Sequence, residues 1–209
     1  MLRIYEMVAN DFLYADPYNL VTFGDNHDTD RMATSLENNP ALIKIALTFL
    51  ATMRGIPQIY YGTEIMMENN IAPKDHGIIR TDFPGGWAGD SINAFTGEGL
   101  TLQQKDLQEY IKKLLNWRKT SKPVHSGKLM HFVPEKGVYV YFRYTLNEML
   151  MVVLSKNDET KTIAVSRFDE MLQGERVGTD VFSGKGVDLS DGLSLEPNSA
   201  LILEVKRTP

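Results

Sequence analysis

The stretch Phe23-Gly24-Asp25-Asn26-His27-Asp28 decides how the rest of the chain is interpreted. It closes a short apolar run that begins at Leu20. Apolar residues that end abruptly in polar ones indicate a buried strand leading to the rim of an α/β sheet. An amide, an imidazole and a carboxylate then stand in succession at that rim, where they can hydrogen-bond a polyhydroxylated ligand. For this stretch alone, the alternative is an Asx-rich turn after a strand.

Composition excludes several classes of protein. The chain has 209 residues, of which 43% are hydrophobic, so one large soluble domain or two small ones are expected. The 22 basic and 27 acidic residues are interspersed, so we expect neither nucleic acid nor a membrane as partner. No apolar run reaches the roughly 20 residues of a membrane helix, and residues 1–6 do not resemble a signal peptide. Without cysteine there are no disulfides, and we expect a cytoplasmic or periplasmic protein.

A strand, a helix and a second strand follow one another in the first part of the chain. Asn38-Asn39-Pro40 supplies an N-cap with proline at the first helical position. Apolar residues then recur at helical spacing until Arg54-Gly55, which ends the helix. Residues 56–61 predict a second short strand. This order predicts two parallel strands joined by a right-handed crossover.

A long segment rich in glycine and proline, residues 62–100, follows the second predicted strand. Such a stretch inside a compact domain is usually functional or disordered, and its aromatic residues argue against disorder. We therefore expect a loop that forms part of a site. Thr101-Leu102-Gln103-Gln104 is a capping box that begins a helix ending near Ser121-Lys122-Pro123.

From Gly127 onward the hydrophobic period changes from helical to two. Short strands at even spacing are typical of an antiparallel β-sandwich, which we expect to close on its own core. We therefore predict an α/β part over residues 1–122 and an all-β part over residues 123–209, with the boundary near 121–127. The predicted strands are residues 127–133, 138–144, 149–155, 162–167, 176–182 and 200–205.

Two motifs resemble the α-amylase family of glycoside hydrolases. Gly55-Ile56-Pro57-Gln58-Ile59-Tyr60-Tyr61-Gly62-Thr63-Glu64 resembles the strand-eight signature of that family, and Phe23-Gly24-Asp25-Asn26-His27-Asp28 is similar to its strand-seven motif. Arg80-Thr81-Asp82-Phe83-Pro84-Gly85-Gly86-Trp87 resembles the neopullulanase and cyclomaltodextrinase branch. The resemblance implies strands seven and eight of a (β/α)8 TIM barrel followed by a β-sandwich domain. It also implies a retaining enzyme acting on α-1,4 or α-1,6 glucosidic bonds of starch, pullulan or cyclodextrins.

The resemblance assigns roles to three residues of the first motif. Asp28 matches the family carboxylate that stabilises the oxocarbenium-like transition state without attacking the sugar. His27 matches a histidine that donates a hydrogen bond to the same sugar, the alternative being a histidine that caps the strand end. Asn26 is a weaker substrate-binding candidate, because its side chain can support the loop instead.

The long loop supplies further substrate-binding candidates. Arg80 and Asp75 fall where related enzymes present polar ligands to outer glucose units, the alternative being solvated loop charges. Trp87, Phe83 and Tyr61 can stack on the apolar faces of pyranoses. A tryptophan in a glycine-rich loop is, however, more often anchored in the protein.

No metal or cofactor is predicted. His76, His125 and His131 have no metal-ligand spacing, and we interpret them as surface or sandwich residues. The resemblance allows a structural calcium in the parent enzyme, but no Asp or Asn cluster shows the alternating spacing of a calcium loop.

The resemblance also predicts what is missing. A retaining glycosidase needs a nucleophilic carboxylate and an acid/base roughly 5 Å apart, and in this family both precede the strand-seven motif. Only 22 residues precede Phe23, so we expect a fragment that is inactive alone and self-associates through unpaired barrel edges. Its expected ligands are α-glucan oligosaccharides. The alternatives are a non-catalytic glucan-binding module and an amylase-like interaction protein.

Overall fold

The computed structural model describes residues 1–207. Its first part is mainly helical, and its last part is mainly strands. The helices are α1 (Leu2–Ala9), α2 (Met32–Ser35), α3 (Pro40–Thr52), α4 (His76–Ile79), α5 (Leu102–Arg118), α6 (Lys122–Ser126) and α7 (Asp169–Leu172). The strands are β1 (Val21–Phe23), β2 (Ile56–Gln58), β3 (Lys128–His131), β4 (Val138–Tyr144), β5 (Glu148–Ser155), β6 (Lys161–Ala164), β7 (Val177–Asp180), β8 (Gly186–Asp188), β9 (Gly192–Leu195) and β10 (Ser199–Lys206).

The predicted parallel crossover is confirmed. β1 and β2 pair in parallel, with Val21 opposite Ile56, and α3 connects them. The side chain of Asn39 accepts hydrogen bonds from the backbone of Ala41 and Leu42, as a helix N-cap should. Gly55 has a φ of +105°, and a Cβ there would lie 2.6 Å from the carbonyl oxygen of Leu20, so glycine is required for the chain to enter β2.

The two parallel strands are shorter and more exposed than the sequence predicts. β2 ends at Gln58, whereas the sequence predicts a strand to residue 61. Val21, Phe23 and Ile56 are about half exposed. Within residues 1–207 these strands pair only with each other, so each has one edge without a strand partner.

The segment between β2 and α5 is ordered by local turns. A 3-10 turn spans Thr63–Ile65, and α4 is a single helical turn. Further along, Asn93 and Glu98 form an isolated antiparallel bridge. The predicted capping box is present, since Thr101 and Gln104 exchange side chain to backbone hydrogen bonds.

The predicted antiparallel β-sandwich is also confirmed. One sheet has six strands in the order β3-β4-β5-β10-β7-β8, and β6 and β9 form a second sheet. The two sheets enclose a core that contains residues from β4, β5, β9 and β10. Two strands, β8 and β9, were not predicted because both begin at a glycine beside a turn. The predicted strand at 162–167 is wrong after Ala164, where a 3-10 turn over Val165–Phe168 replaces it.

The six-stranded sheet does not close only on its own core. Its other face packs against α3 and α5 in a second apolar cluster, so the helices of the first part and the sheet share one core. Arg143 on β4 is fully buried and donates hydrogen bonds to the carbonyls of Thr52, Val124 and Gly127. The division into residues 1–122 and 123–209 stays a prediction. The sheet residues in the shared cluster are Tyr139, Tyr141, Leu150, Val152, Leu154 and Ile202.

Candidate functional site

Four polar side chains converge beyond the carboxyl ends of β1 and β2. His27 and Asp28 follow β1, while His76 and Arg80 belong to the segment that follows β2. Because the strands are parallel, their carboxyl ends lie at one edge, and this brings together residues about 50 positions apart.

The carboxylate of Asp28 is the centre of this cluster. Arg80 donates from Nη2 to Asp28 Oδ1 at 2.9 Å and from Nε to the carbonyl oxygen of His27 at 3.0 Å. The Nε2 atom of His27 lies 3.2 Å from Asp28 Oδ2. Both carboxylate oxygens therefore have a partner, and the guanidinium also fixes the backbone that carries Asp28.

His76 lies at the surface, as one of the two interpretations from the sequence expects, and it also belongs to the cluster. Its Nδ1 atom lies 3.4 Å from Arg80 Nη2 and 3.9 Å from Asp28 Oδ1. The sequence signal that could have found it is the spacing of His76 and Arg80, four positions apart on one turn of helix.

Asn26 supports the loop after β1, which is the alternative role that the sequence offers for it. Its side-chain oxygen accepts from the backbone N–H of Asp28 at 2.8 Å, and its backbone N–H donates to Thr29 Oγ1 at 3.0 Å. These bonds form an Asx-type turn that directs the Asp28 side chain outward.

Asp25 of the same motif is buried beneath the cluster. It accepts hydrogen bonds from the backbone N–H of Met32 at 2.8 Å and from Thr63 Oγ1 at 3.0 and 3.1 Å. Burial raises the pKa of Asp25 above its ordinary value of 3.8, against the lowering effect of these hydrogen bonds. Its contacts join the segments that follow β1 and β2.

The remaining predicted site residues lie apart from Asp28 or have local partners. Asp75 is the N-cap of α4 and accepts from the backbone of Gly77 and Ile78. Trp87 is 68% exposed, and its backbone N–H donates to Asp90 Oδ2 at 3.1 Å. Their roles as sugar ligands stay predictions.

Two aromatic candidates near the site have partners within the protein. Tyr61 donates from its hydroxyl to the carbonyl oxygen of Thr81 at 2.8 Å. Phe83 packs edge-to-face on Phe95, with ring centroids 5.2 Å apart. The ring of Tyr60 also has a partner within the protein, because the guanidinium carbon of Arg31 lies 4.2 Å from its centroid.

The cluster is open to solvent, and this determines what it can do. All four side chains are about half exposed, so their ion pairs contribute only about 0–1 kcal/mol to folding. They offer a carboxylate acceptor, guanidinium donors and two imidazoles within a few ångströms. This set suits hydrogen bonding to vicinal hydroxyl groups and stabilisation of a nearby positive charge.

The site does not fit a calcium ion. Over residues 1–207, no three side chains of the His, Cys, Asp or Glu types converge as a metal site would require. A hard cation prefers six or more oxygen ligands, whereas Asp28 already faces a guanidinium.

Comparison with known proteins assigns both parts of the chain. Residues 2–85 match the α-amylase catalytic domain, and residues 129–204 match the cyclomaltodextrinase C-terminal domain. The chain belongs to the α-amylase family. The strand-seven and strand-eight motifs both lie within the catalytic-domain match.

Individual relatives agree with this assignment. Cyclomaltodextrinase from Thermoanaerobacter pseudethanolicus is 26% identical over 97% of this chain and 32% of its own length. Cyclomaltodextrin glucanotransferase from Bacillus licheniformis is 32% identical over 78% of this chain and 20% of its own. The α-amylase from Geobacillus thermoleovorans, solved in complex with acarbose, is 26% identical with a TM-score of 0.75, and the match covers 98% of this chain and 43% of that one.

The chain spans about a fifth of the length of the first curated relatives that it matches. It therefore corresponds to a part of the α-amylase-type enzymes, namely two barrel strands and the C-terminal domain. In the described part of the chain, helices are too short or too polar to cross a bilayer.

Proposed function

We propose that this chain is the C-terminal part of a retaining glycoside hydrolase that acts on α-1,4 or α-1,6 bonds of α-glucans. In this proposal Asp28 stabilises the transition state, and His27, His76 and Arg80 bind the sugar beside it. The observation that carries the proposal is the exposed Asp28 carboxylate, held by Arg80 at the carboxyl edge of β1 and β2.

The chemistry follows from the charge of Asp28. As the glycosidic bond breaks, the sugar ring acquires oxocarbenium character, and a carboxylate that hydrogen-bonds its hydroxyls binds it more tightly than the neutral ground state. Arg80 fixes the carboxylate in place before the reaction, so little reorganisation is needed as charge develops. Neither residue attacks the sugar. The nucleophile and the acid/base come from elsewhere in the enzyme, and the chain alone is expected to be inactive.

The test replaces Asp28 with asparagine in the complete enzyme that contains this chain. Asp28→Asn keeps the shape but removes the charge, so we expect kcat to fall on the order of 10²–10³ with little change in ground-state binding. Asp191→Asn, at an exposed aspartate between β8 and β9, is the matched control and should leave kcat unchanged. A variant that changes only KM would make Asp28 a binding residue and overturn its proposed role.

A second candidate, a non-catalytic glucan-binding module, is favoured by the exposed ring of Trp87. In this case the chain binds maltotriose through Trp87 and the polar cluster without supporting turnover. Titration of 15N-labelled chain with maltotriose tests binding directly. A module predicts equal loss of binding in Trp87→Ala and Asp28→Asn, with no hydrolysis by the complete protein. Hydrolysis by the complete protein that is lost in Asp28→Asn would show that the protein is an enzyme and not a binding module.

A further inference from the structure

The segments that follow β1 and β2 are joined at a second place, beneath the Asp28 cluster. Asn69 is fully buried there. Its Oδ1 atom accepts from the backbone N–H of Arg31 at 2.9 Å, and its Nδ2 atom donates to Asp30 Oδ1 at 2.7 Å. Its backbone N–H donates to Thr34 Oγ1 at 2.8 Å. One side chain thus uses both its donor and its acceptor on consecutive residues of the facing segment.

Asp30 extends this connection to the helix that carries His76. The same Oδ1 atom of Asp30 accepts from the backbone N–H of Lys74 at 2.6 Å. Lys74 has a φ of +66° and directly precedes Asp75, the N-cap of α4. The hydrogen bond from Asn69, followed by that from Lys74, holds the pKa of Asp30 below its ordinary value of 3.8. These contacts therefore favour the charged carboxylate, which binds the two N–H donors.

The two segments that Asn69 and Asp30 join each carry residues of the candidate site. On one side, Asp30 lies two residues after Asp28. On the other, α4 begins with His76 and is capped at its C-terminal end by Arg80. The hydrogen bond between Asp30 and Lys74 therefore connects the segment that carries Asp28 with the segment that carries His76 and Arg80.

We propose that Asn69 is a positioning residue for the Asp28 cluster. It acts through Asp30 and Lys74, which fix the distance between the Asp28 carboxylate and the side chains of His76 and Arg80. The sugar ligand rests on the function proposed above, but the positioning itself is measurable without a ligand.

Asparagine suits this position because the site needs a donor and an acceptor on one planar group. Aspartate has the same shape, but it cannot donate to Asp30 and would place two carboxylates in contact. Leaving the backbone N–H of Arg31 or the Asp30 carboxylate without its partner weakens the connection between the segments.

The experiment compares Asn69→Asp with Asn70→Asp. The control makes the same chemical change one position along, where Asn70 is exposed and donates to Glu68 Oε2 at 2.6 Å. The readout is the NMR signal of the Arg80 Nε–H group, whose hydrogen bond to His27 should slow its exchange with solvent. We expect Asn69→Asp to accelerate that exchange roughly tenfold and Asn70→Asp to leave it unchanged.

A swap distinguishes positioning from a general loss of stability. In the double variant Asp30→Asn and Asn69→Asp, residue 30 supplies the donor and residue 69 the acceptor, so Arg80 protection should recover in part. Backbone amides of β4 and β5 serve as the internal standard and should keep their protection in every variant. If Asn69→Asp does not fold, Asp30→Ala, which removes the acceptor of both N–H donors, must accelerate Arg80 exchange.

The outcomes separate this proposal from the proposed function. Unchanged Arg80 exchange in Asn69→Asp, or equal acceleration in Asn70→Asp, overturns the positioning role. Maltotriose titration is the second measurement, and Asn69→Asp should weaken binding while Asn70→Asp should not. If Asp28→Asn leaves kcat of the complete enzyme unchanged while Arg80 exchange in this chain still responds to Asn69, the positioning role stands and the glucan function fails.

Discussion

Apolar side chains on the strands of the barrel part and on β4 and β5 of the six-stranded sheet differ sharply in burial. Val21 is 53% exposed, Phe23 47% and Ile56 51%, whereas β4 is buried at every residue except Tyr144 and β5 at every residue except Glu148. β1 and β2 have one strand neighbour each. By contrast, β4 and β5 have strands on both sides, α3 and α5 on one face and the sandwich core on the other.

This difference shows that burial of a strand depends on its neighbours more than on its own sequence. It also shows how the helices of the barrel part are stabilised. α3 and α5 bury their apolar residues against β4, β5 and β10, so their core exists although Val21, Phe23 and Ile56 on β1 and β2 are half exposed. The six-stranded sheet has two apolar faces. One packs in the sandwich core, and the other packs against α3 and α5.

The largest expected effect comes from opening either face of the sheet. Leu150 lies in the core shared with α3 and α5, and Leu193 lies in the sandwich core. Leu150→Ala and Leu193→Ala each remove the same buried group, so each should lower the free energy of unfolding by about 2–5 kcal/mol. Both should shift a single denaturation transition, because the sheet belongs to both cores.

Urea denaturation followed by far-UV and near-UV circular dichroism checks this prediction. Leu146→Ala, at a side chain that is 70% exposed, is the matched control and should change little. Two separate transitions, with each variant moving a different one, would show that the barrel helices and the sandwich fold independently.

A smaller effect is expected at the beginning of α5. Thr101 caps this helix with Gln104, and Thr101→Ala should cost about 1 kcal/mol by leaving backbone N–H groups without their acceptor. Gln103→Ala, in the same exposed turn, removes no cap and should be nearly neutral. Urea midpoints measure both variants. If Thr101→Ala leaves the sheet's transition in place, α5 unfolds separately and the shared core does not couple the two parts.

Local signals predicted much of this molecule. The Asn39 cap and the Thr101 capping box depend on residues close in sequence, and the parallel order of β1 and β2 follows from the order of strand, helix and strand along the chain. Asp28 was found by its motif, and the structure places it beside Arg80, another predicted candidate.

The missed features depend on contacts between distant segments. His76 lies 48 positions from Asp28, and Asn69 lies 39 positions from Asp30, so local spacing shows neither contact, although it does place His76 beside Arg80. The second face of the sheet was missed for the same reason. A continuous apolar strand such as β5 indicates burial on both sides, but it does not name the element that covers each side.

The smallest expected effect concerns two carboxylates that lie five positions apart in the segment after β1. Burial raises the pKa of Asp25, whereas hydrogen bonds from Asn69 and Lys74 lower the pKa of Asp30. A lowered pKa gives stability that is present above the unfolded value of 3.8 and is lost as pH falls through the folded value. A raised pKa does the opposite: folding is favoured increasingly as pH falls through the folded value toward 3.8.

The two contributions therefore oppose each other on acidification, and single variants should separate them. Asp30→Asn should make stability fall less than in wild type as pH drops through 3.8 and below, and Asp25→Asn should make it fall more as pH drops from neutral toward 3.8. Urea titrations at several pH values measure these slopes. Both residues lie in the barrel part of the chain. Their variants can therefore change the pH dependence of the sheet's unfolding only if the barrel part and the sheet unfold together. If the plots of stability against pH for both variants run parallel to that of wild type, this segment opens before the shared core unfolds. Only α3 and α5, and not the segment after β1, would then unfold together with the sheet.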